Sequence, residues 1–240
     1  MAKSKIEWTD VTWNPTTGCT KISEGCKNCY AEKMAKRLQL MGQKKYKNGF
    51  RLTLHEDSLN DPFLWKKNKL VFVNSMSDLF HEDIPFDFIS SVFKVMNANP
   101  QHVFQVLTKR ASILKEYGKF LNFTDNIWLG VSVEDQNTTS RVGLINDIKA
   151  KIKFVSIEPL IGEIININLD QINWVIVGGE SGSGARPMKE EWVLYLKNLC
   201  LNREVPFFFK QWGGVRKKKN GRLLEGKEWN QFPLHGFNCF

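Results

Sequence analysis

A chain of 240 residues that is 42% hydrophobic, 12% aromatic and 25% charged carries enough apolar side chains for one sizeable core, which excludes a disordered protein. No apolar run approaches the roughly 18 residues of a membrane span, and the opening Met1-Ala-Lys-Ser-Lys-Ile-Glu-Trp-Thr-Asp10 lacks a signal-peptide core. The expected address is therefore the cytoplasm, with no membrane partner. The 34 Lys and Arg against 25 Asp and Glu leave a net charge of +9, which suits DNA or RNA, although a solvated basic surface would look the same.

In chain order, an early strand is predicted at 6–13. The stretch Gly18-Cys-Thr-Lys-Ile-Ser-Glu-Gly-Cys-Lys-Asn-Cys-Tyr-Ala-Glu32 follows it and gathers Cys19, Cys26 and Cys29, three of the five cysteines. In a reducing compartment such a cluster points to metal or catalysis rather than to disulfides. Residues 33–51 then hold seven bases and no acid. Nearly all-apolar runs at 70–74, 102–107, 127–133, 153–157, 174–177 and 205–209 read as parallel strands covered on both faces. Helices are predicted between them, as at 86–97, where Phe88, Ile89, Val92, Phe93 and Met96 recur at three- and four-residue spacing, and at 190–201. Strands alternating with helices imply an α/β fold, and six or seven βα units imply a parallel (β/α) barrel or partial barrel. We place that barrel domain at 1–213 and a mobile basic C-terminal extension, beginning with Arg216-Lys-Lys-Lys-Asn-Gly-Arg222, at 214–240.

Nearly every predicted strand ends in polar residues: Asn74-Ser-Met-Ser-Asp78, Thr108-Lys-Arg110, Ser132-Val-Glu-Asp135, Ser156-Ile-Glu-Pro159, Gly178-Gly-Glu-Ser-Gly182 and Lys210-Gln-Trp212. In a parallel barrel those ends share one mouth, where such folds carry their sites. The cysteine loop follows the first strand and should lie over the same mouth. Three thiolates with an open fourth position suit a cubane iron-sulfur cluster. A closed zinc site needs four ligands. For that alternative His55 is the nearest histidine in sequence, and Cys200 and Cys239 are the remaining thiols. Two function classes follow, an iron-sulfur enzyme and a zinc-stabilised nucleic-acid-binding protein without catalysis.

A three-cysteine loop on the first turn of such a barrel resembles the radical S-adenosylmethionine (SAM) superfamily. The stretches Thr12-Trp-Asn-Pro-Thr-Thr-Gly-Cys19, Val73-Asn-Ser-Met-Ser-Asp-Leu-Phe80, Phe104-Gln-Val-Leu-Thr-Lys-Arg110, Trp128-Leu-Gly-Val-Ser-Val-Glu134, Val175-Ile-Val-Gly-Gly-Glu-Ser181 and Pro206-Phe-Phe-Phe-Lys-Gln-Trp-Gly213 are similar to a phage and bacterial family known by its three-cysteine motif. Ser77-Asp78 and Thr108-Lys109 resemble elements of the spore photoproduct lyase-like branch. The first cysteine gap, Cys-x6-Cys, is wider than the common Cys-x3-Cys of the superfamily, and it contains Gly25, whose backbone can take shapes that other residues resist.

What the resemblance implies is a 4Fe-4S cluster on Cys19, Cys26 and Cys29, SAM on its open iron, and one electron from an external donor. Cleavage of SAM would then give a 5'-deoxyadenosyl radical that abstracts hydrogen from a substrate. Asp78 and Ser75 would serve the amino end of SAM, Lys109 its carboxylate, and Ser132 with Glu134 its ribose. Asn28 stands where an aromatic often precedes the third cysteine; Tyr30 follows instead and joins the cofactor-binding set with Ser77 and Glu158. Gly179, Glu180, Arg186, Lys210, Gln211 and Trp212 are the substrate-binding candidates. The glycine-rich stretch at 178–187 lacks a phosphate-loop lysine, so it serves either a close backbone approach to a ligand or turn chemistry. Basic stretches and tryptophans fit a nucleic-acid substrate bound through its phosphates with stacked bases.

Overall fold

Seven apolar runs pair side by side into one sheet in the computed structural model, which describes residues 4–233. The strands and α-helices are, in chain order, β1 (Val11–Trp13), β2 (Thr16–Thr17), α1 (Tyr30–Leu40), β3 (Thr53–Leu54), β4 (Leu70–Val73), α2 (Phe86–Asn97), β5 (Val103–Thr108), α3 (Ala111–Tyr117), β6 (Ile127–Val133), α4 (Ser140–Gly143), β7 (Ile152–Ile157), β8 (Trp174–Gly178), α5 (Glu190–Asn202), β9 (Phe207–Gln211) and α6 (Lys217–Asn220). The sheet runs β1-β4-β5-β6-β7-β8-β9, and every neighbouring pair is parallel. It curls into a half-barrel, the expected partial parallel barrel. The small antiparallel pair β2–β3 lies beside it.

Three local expectations change. The first strand begins at Val11 because the preceding residues are spent otherwise: Trp8 turns into the core, Thr9 Oγ1 donates to the Leu70 carbonyl at 2.9 Å, and Asp10 accepts from Leu70 N at 2.9 Å. The last strand starts at Phe207 since Pro206 has no N–H to donate and Val205 N closes the end of α5 on the Cys200 carbonyl. Between β7 and β8 the chain crosses without a regular helix, and Ile164, Ile167, Leu169 and Ile172 bury it against the core.

Side chains alternate across each strand, so the sheet divides its residues between two cores. One face sends Val71, Phe104, Leu129, Val155, Val175 and Phe207 against the helices, where Ile89, Val92, Leu114, Val193 and Leu196 meet them. The other, concave face gathers Trp8, Phe72, Trp128, Phe154, Trp174 and Phe208 into an aromatic floor. Trp174 sits at its centre, fully buried, with ring centroids 5.7 Å from Phe154 and 6.0 Å from Trp128 and Phe208. Truncation of a buried aromatic of this kind costs about 3–5 kcal/mol.

The segment after Gly213, expected as a free tail, packs onto the rest of the chain over residues 214–233. Leu224 and Trp229 are buried in the helix-side core, Phe232 stacks on Trp174 at 4.9 Å, and Trp174 Nε1 donates to the Gln231 carbonyl at 2.8 Å. Its apolar residues cover the open edge of β9, where Asn230 bridges Phe208. Cys239 lies outside the described residues.

Candidate active site at the strand ends

Counting along the concave face from the aromatic floor leads to the site. Trp128, Gly130, Ser132 and Glu134 share that face of β6; Phe154, Ser156 and Glu158 share it on β7; Trp174, Ile176, Gly178 and Glu180 share it on β8. Register sets Ser132 opposite Ser156. Three successive strands thus rise from an aromatic floor to a small residue and then a glutamate, and these glutamates line one wall of the mouth.

Two of them hold the cysteine loop. Glu134, fully buried, pairs with Lys109 and with Arg141 at 3.5 Å, and accepts from Ser23 Oγ at 2.7 Å and Gly25 N at 3.4 Å. Burial alone would raise its carboxyl; Lys109, Ser23 and Arg141 outweigh burial and hold it below the usual range. A Cβ on Gly25 would lie 2.4 Å from the Glu134 carboxyl carbon, so this glycine is required by close approach rather than by an unusual backbone shape. Glu180, 5% exposed, accepts from Asn28 Nδ2 at 3.0 Å and from Arg186 N, Nε and Nη2 at 2.9, 3.0 and 2.6 Å. Burial opposes its charge, but these bonds bring its pKa down to about 2. Arg186 in turn donates to the Glu24 carbonyl at 2.9 Å.

The near end of the loop is held from β4 and β5. Ser77 Oγ donates to the Gly18 carbonyl at 2.6 Å, and Gly18, at φ 83°, stands so close to Arg51 that a side chain has no room. Arg110 Nη1 lies 3.4 Å from Cys19 Sγ, and Arg110 Nη2 donates to Thr20 Oγ1 at 2.8 Å. Asp78 is buried and accepts from Thr108 Oγ1 at 2.6 Å, Phe80 N at 3.0 Å, Lys109 N at 3.0 Å and Arg110 Nη1 at 3.3 Å. In this arrangement it is an internal brace.

Cys19, Cys26 and Cys29 are free and half-buried. Burial first, then Asp78, pushes the Cys19 thiol up to about 11 against the pull of Arg110. Cys26 Sγ is 3.5 Å from the Ser23 hydroxyl, and Cys29 directly precedes α1. Cys200 stands apart in the helix-side core on α5, its thiol pushed up to about 12 by burial. His55 is bonded to Thr17 at 2.8 Å. Among the described residues no group of three or more His, Cys, Asp and Glu side chains converges on a single ion. In number and chemistry the three thiols of this loop match the donor set that a cubane with one open iron would need.

The remaining predicted residues divide. Glu158 accepts from Ser156 Oγ at 3.1 Å and pairs with Lys210 at 3.0 Å in the wall of the mouth. Tyr30 donates its hydroxyl to the Ser75 carbonyl while the residue as a whole stays 52% exposed; enclosure of the hydroxyl raises its pKa. Ser75 Oγ donates to Asn14 at 3.2 Å, and the carbonyl of buried Ser132 accepts from Arg141 at 2.8 Å. Gln211 and Trp212 are not brought into the mouth: Gln211 Nε2 donates to Ser181 Oγ at 2.8 Å, and Trp212 packs on Phe209 and donates to the Leu223 carbonyl at 2.8 Å. Cβ atoms on Gly178 and Gly179 would come within 2.5 Å of Glu158 and 2.2 Å of the Trp212 carbonyl, so both glycines make room for the protein's own chain.

Sequence reasoning gave no role to Arg110, Ser23, Arg141 or Glu82, which accepts from Arg110 Nε at 2.6 Å; none of the four lies on a strand, so strand alternation does not reach them. A separate surface depression lined by Asp10, Trp65, Lys66, Lys67 and Lys69 opens at the opposite ends of β1 and β4, remote from this chemistry. No helix among the described residues is long and apolar enough to cross a membrane. Comparison with curated proteins and with solved structures gives no match. Residues 3–233 match the family described as "Protein of unknown function (DUF5131)", and the chain belongs to that family.

Proposed function

We propose that the chain is a radical SAM-type iron-sulfur enzyme in which Cys19, Cys26 and Cys29 hold a 4Fe-4S cluster and the mouth receives SAM and a substrate. The observation that carries this reading is one loop with three half-buried thiols, braced over the polar mouth of a partial barrel by Arg110, Glu134 and Glu180 from three strand ends. The chemistry supplied there would be one-electron reductive cleavage of SAM to start hydrogen abstraction, with the electron from an external donor. The chain's own residues bind and orient. Tyr30, 52% exposed and next to Cys29, is available to the adenine, and Glu158 and Lys210, which pair with each other at 3.0 Å, would have to part to take the amino and carboxylate ends of a methionine. Lys109 and Glu134 are better suited to fixing the loop than to holding ligand, because Glu134 also accepts from Ser23 and Gly25 of that loop. The aromatic floor keeps water from reaching the mouth from below.

For the substrate we favour a nucleic acid, modified or repaired at a nucleotide that reaches the mouth. The support is the basic run on and after α1, beside the cysteine loop, where Lys33 Nζ donates to the Ser183 carbonyl at 2.7 Å. The decisive experiment is anaerobic purification with iron and sulfide analysis, followed by dithionite and SAM. About four irons and four sulfides per chain, and 5'-deoxyadenosine as product, are expected. Ala at Cys19, Cys26 or Cys29 abolishes both; Cys200→Ala keeps both. Colourless protein with one zinc per chain after reconstitution would overturn this reading in favour of a zinc-stabilised nucleic-acid-binding protein.

A further inference from the structure

All five guanidinium N–H donors of Arg110 are engaged. Nε donates to Glu82 at 2.6 Å, Nη1 to Asp78 at 3.3 Å and Cys19 Sγ at 3.4 Å, and Nη2 to the Thr20 carbonyl at 3.2 Å and hydroxyl at 2.8 Å. Its side chain is 5% exposed, so the charge cannot swing into solvent. The three thiols are therefore unequal. Cys26 meets only the neutral Ser23 hydroxyl among its hydrogen-bonding side chains, whereas Cys19 has a fixed cation. The same Nη1 that reaches the Cys19 sulfur also reaches the buried Asp78 carboxylate, so Arg110 stands as the cation between the two.

Hydrogen bonds to ligand sulfurs and local net charge set the potentials of iron-sulfur sites. Resting on the iron-sulfur reading above, we infer that Arg110 is a positioning residue that fixes Cys19 and raises the reduction potential of the cluster Cys19 would hold. The step concerned is uptake of one electron from an external one-electron donor, with no bond made or broken and no proton taken up. A fixed positive charge stabilises the more negative, reduced state over the oxidised one. Arg110→Gln removes both the charge and the N–H···S contact; Arg110→Lys keeps the charge and loses the fork.

The test is an anaerobic redox titration of the reconstituted wild type, R110Q and R110K, followed by visible absorbance and electron paramagnetic resonance, with circular dichroism as the check on folding. R110Q is expected to be at least about tenfold harder to reduce, ~59 mV more negative for a one-electron couple, with R110K between it and wild type. Equal potentials in loaded wild type and R110Q would overturn the inference and leave the iron-sulfur reading standing. A wild type that takes up no iron and sulfide would overturn that reading and this inference together. Should R110Q fail to fold, Arg110→Met, which also removes the charge and the N–H···S contact, takes its place: an unchanged potential overturns the inference, a negative shift supports it.

Discussion

Glu180 shows how a single side chain ties the sheet to the cysteine loop. Its carboxylate joins the end of β8 to Asn28, beside Cys29, and through Arg186 to Glu24, beside the turn that carries Cys26. Its folded pKa of about 2 lies below the ordinary value of 4.5, so its contribution to stability is fully present above pH 4.5 and is lost as the pH falls through about 2. That shift sets a ceiling of ~3 kcal/mol. Because Arg186 is 27% exposed, solvent screening brings the expected contribution to about 1–2 kcal/mol. Urea unfolding of Glu180→Gln should show that deficit at pH 7 and a shrinking one between pH 4.5 and 2. A pH-independent difference would mean that shape, not charge, makes the brace.

At the scale of one strand, β6 explains why the floor and the mouth coexist. Its residues alternate strictly, with Leu129, Val131 and Val133 toward the helices and Trp128, Gly130 and Ser132 toward the concave side. Gly130 is the step between aromatic floor and polar rim. A Cβ there would lie 2.5 Å from the Phe154 ring. Gly130→Ala should therefore destabilise by about 1–3 kcal/mol through overpacking. Shrinking the neighbour in Gly130→Ala/Phe154→Leu should recover part of that loss, and the non-additivity is measurable in a double-mutant cycle of unfolding free energies. Purely additive effects would place the strain elsewhere.

For the whole molecule the excess charge is the main clue to a partner. Ion pairs neutralise part of it: Glu32 pairs with Lys21 and Lys36, and Lys217 of the C-terminal segment holds Glu7 at 2.8 Å. Arg216, Lys218 and Lys219 are exposed on the same packed segment. If these and the α1 lysines track phosphates, the logarithm of the affinity for single-stranded oligonucleotides falls linearly with log salt, and each lost contact flattens the slope by ~0.7. Replacing Arg216, Lys218 and Lys219 by Gln should flatten it while preserving the fold, because Lys217 and the buried Leu224 and Trp229 remain. Salt-indifferent or undetectable binding in filter or anisotropy assays would remove nucleic acid as the substrate class.

Apolar runs separated by helical stretches were enough to read the α/β class, a parallel sheet of about six or seven strands and the helix at 86–97, since such runs and the helix period are local properties of the chain, whereas the strand order came only with the structure. The three cysteines and the polar strand ends were equally legible, because residue type and sequence position place them at one mouth in any parallel barrel. Side-chain partners were not. Whether Asp78, Lys109, Glu134 and Glu180 face a ligand or one another depends on contacts across 25 to 152 residues of chain. The same holds for Gly25 and Gly179, which look like flexible links in sequence and are close-approach positions in space. It holds too for the basic C-terminal stretch: charge made it resemble a free tail, whereas Leu224, Trp229 and Phe232, a handful of apolar residues without a local period, decide its packing once the β9 edge and the aromatic floor exist to receive them.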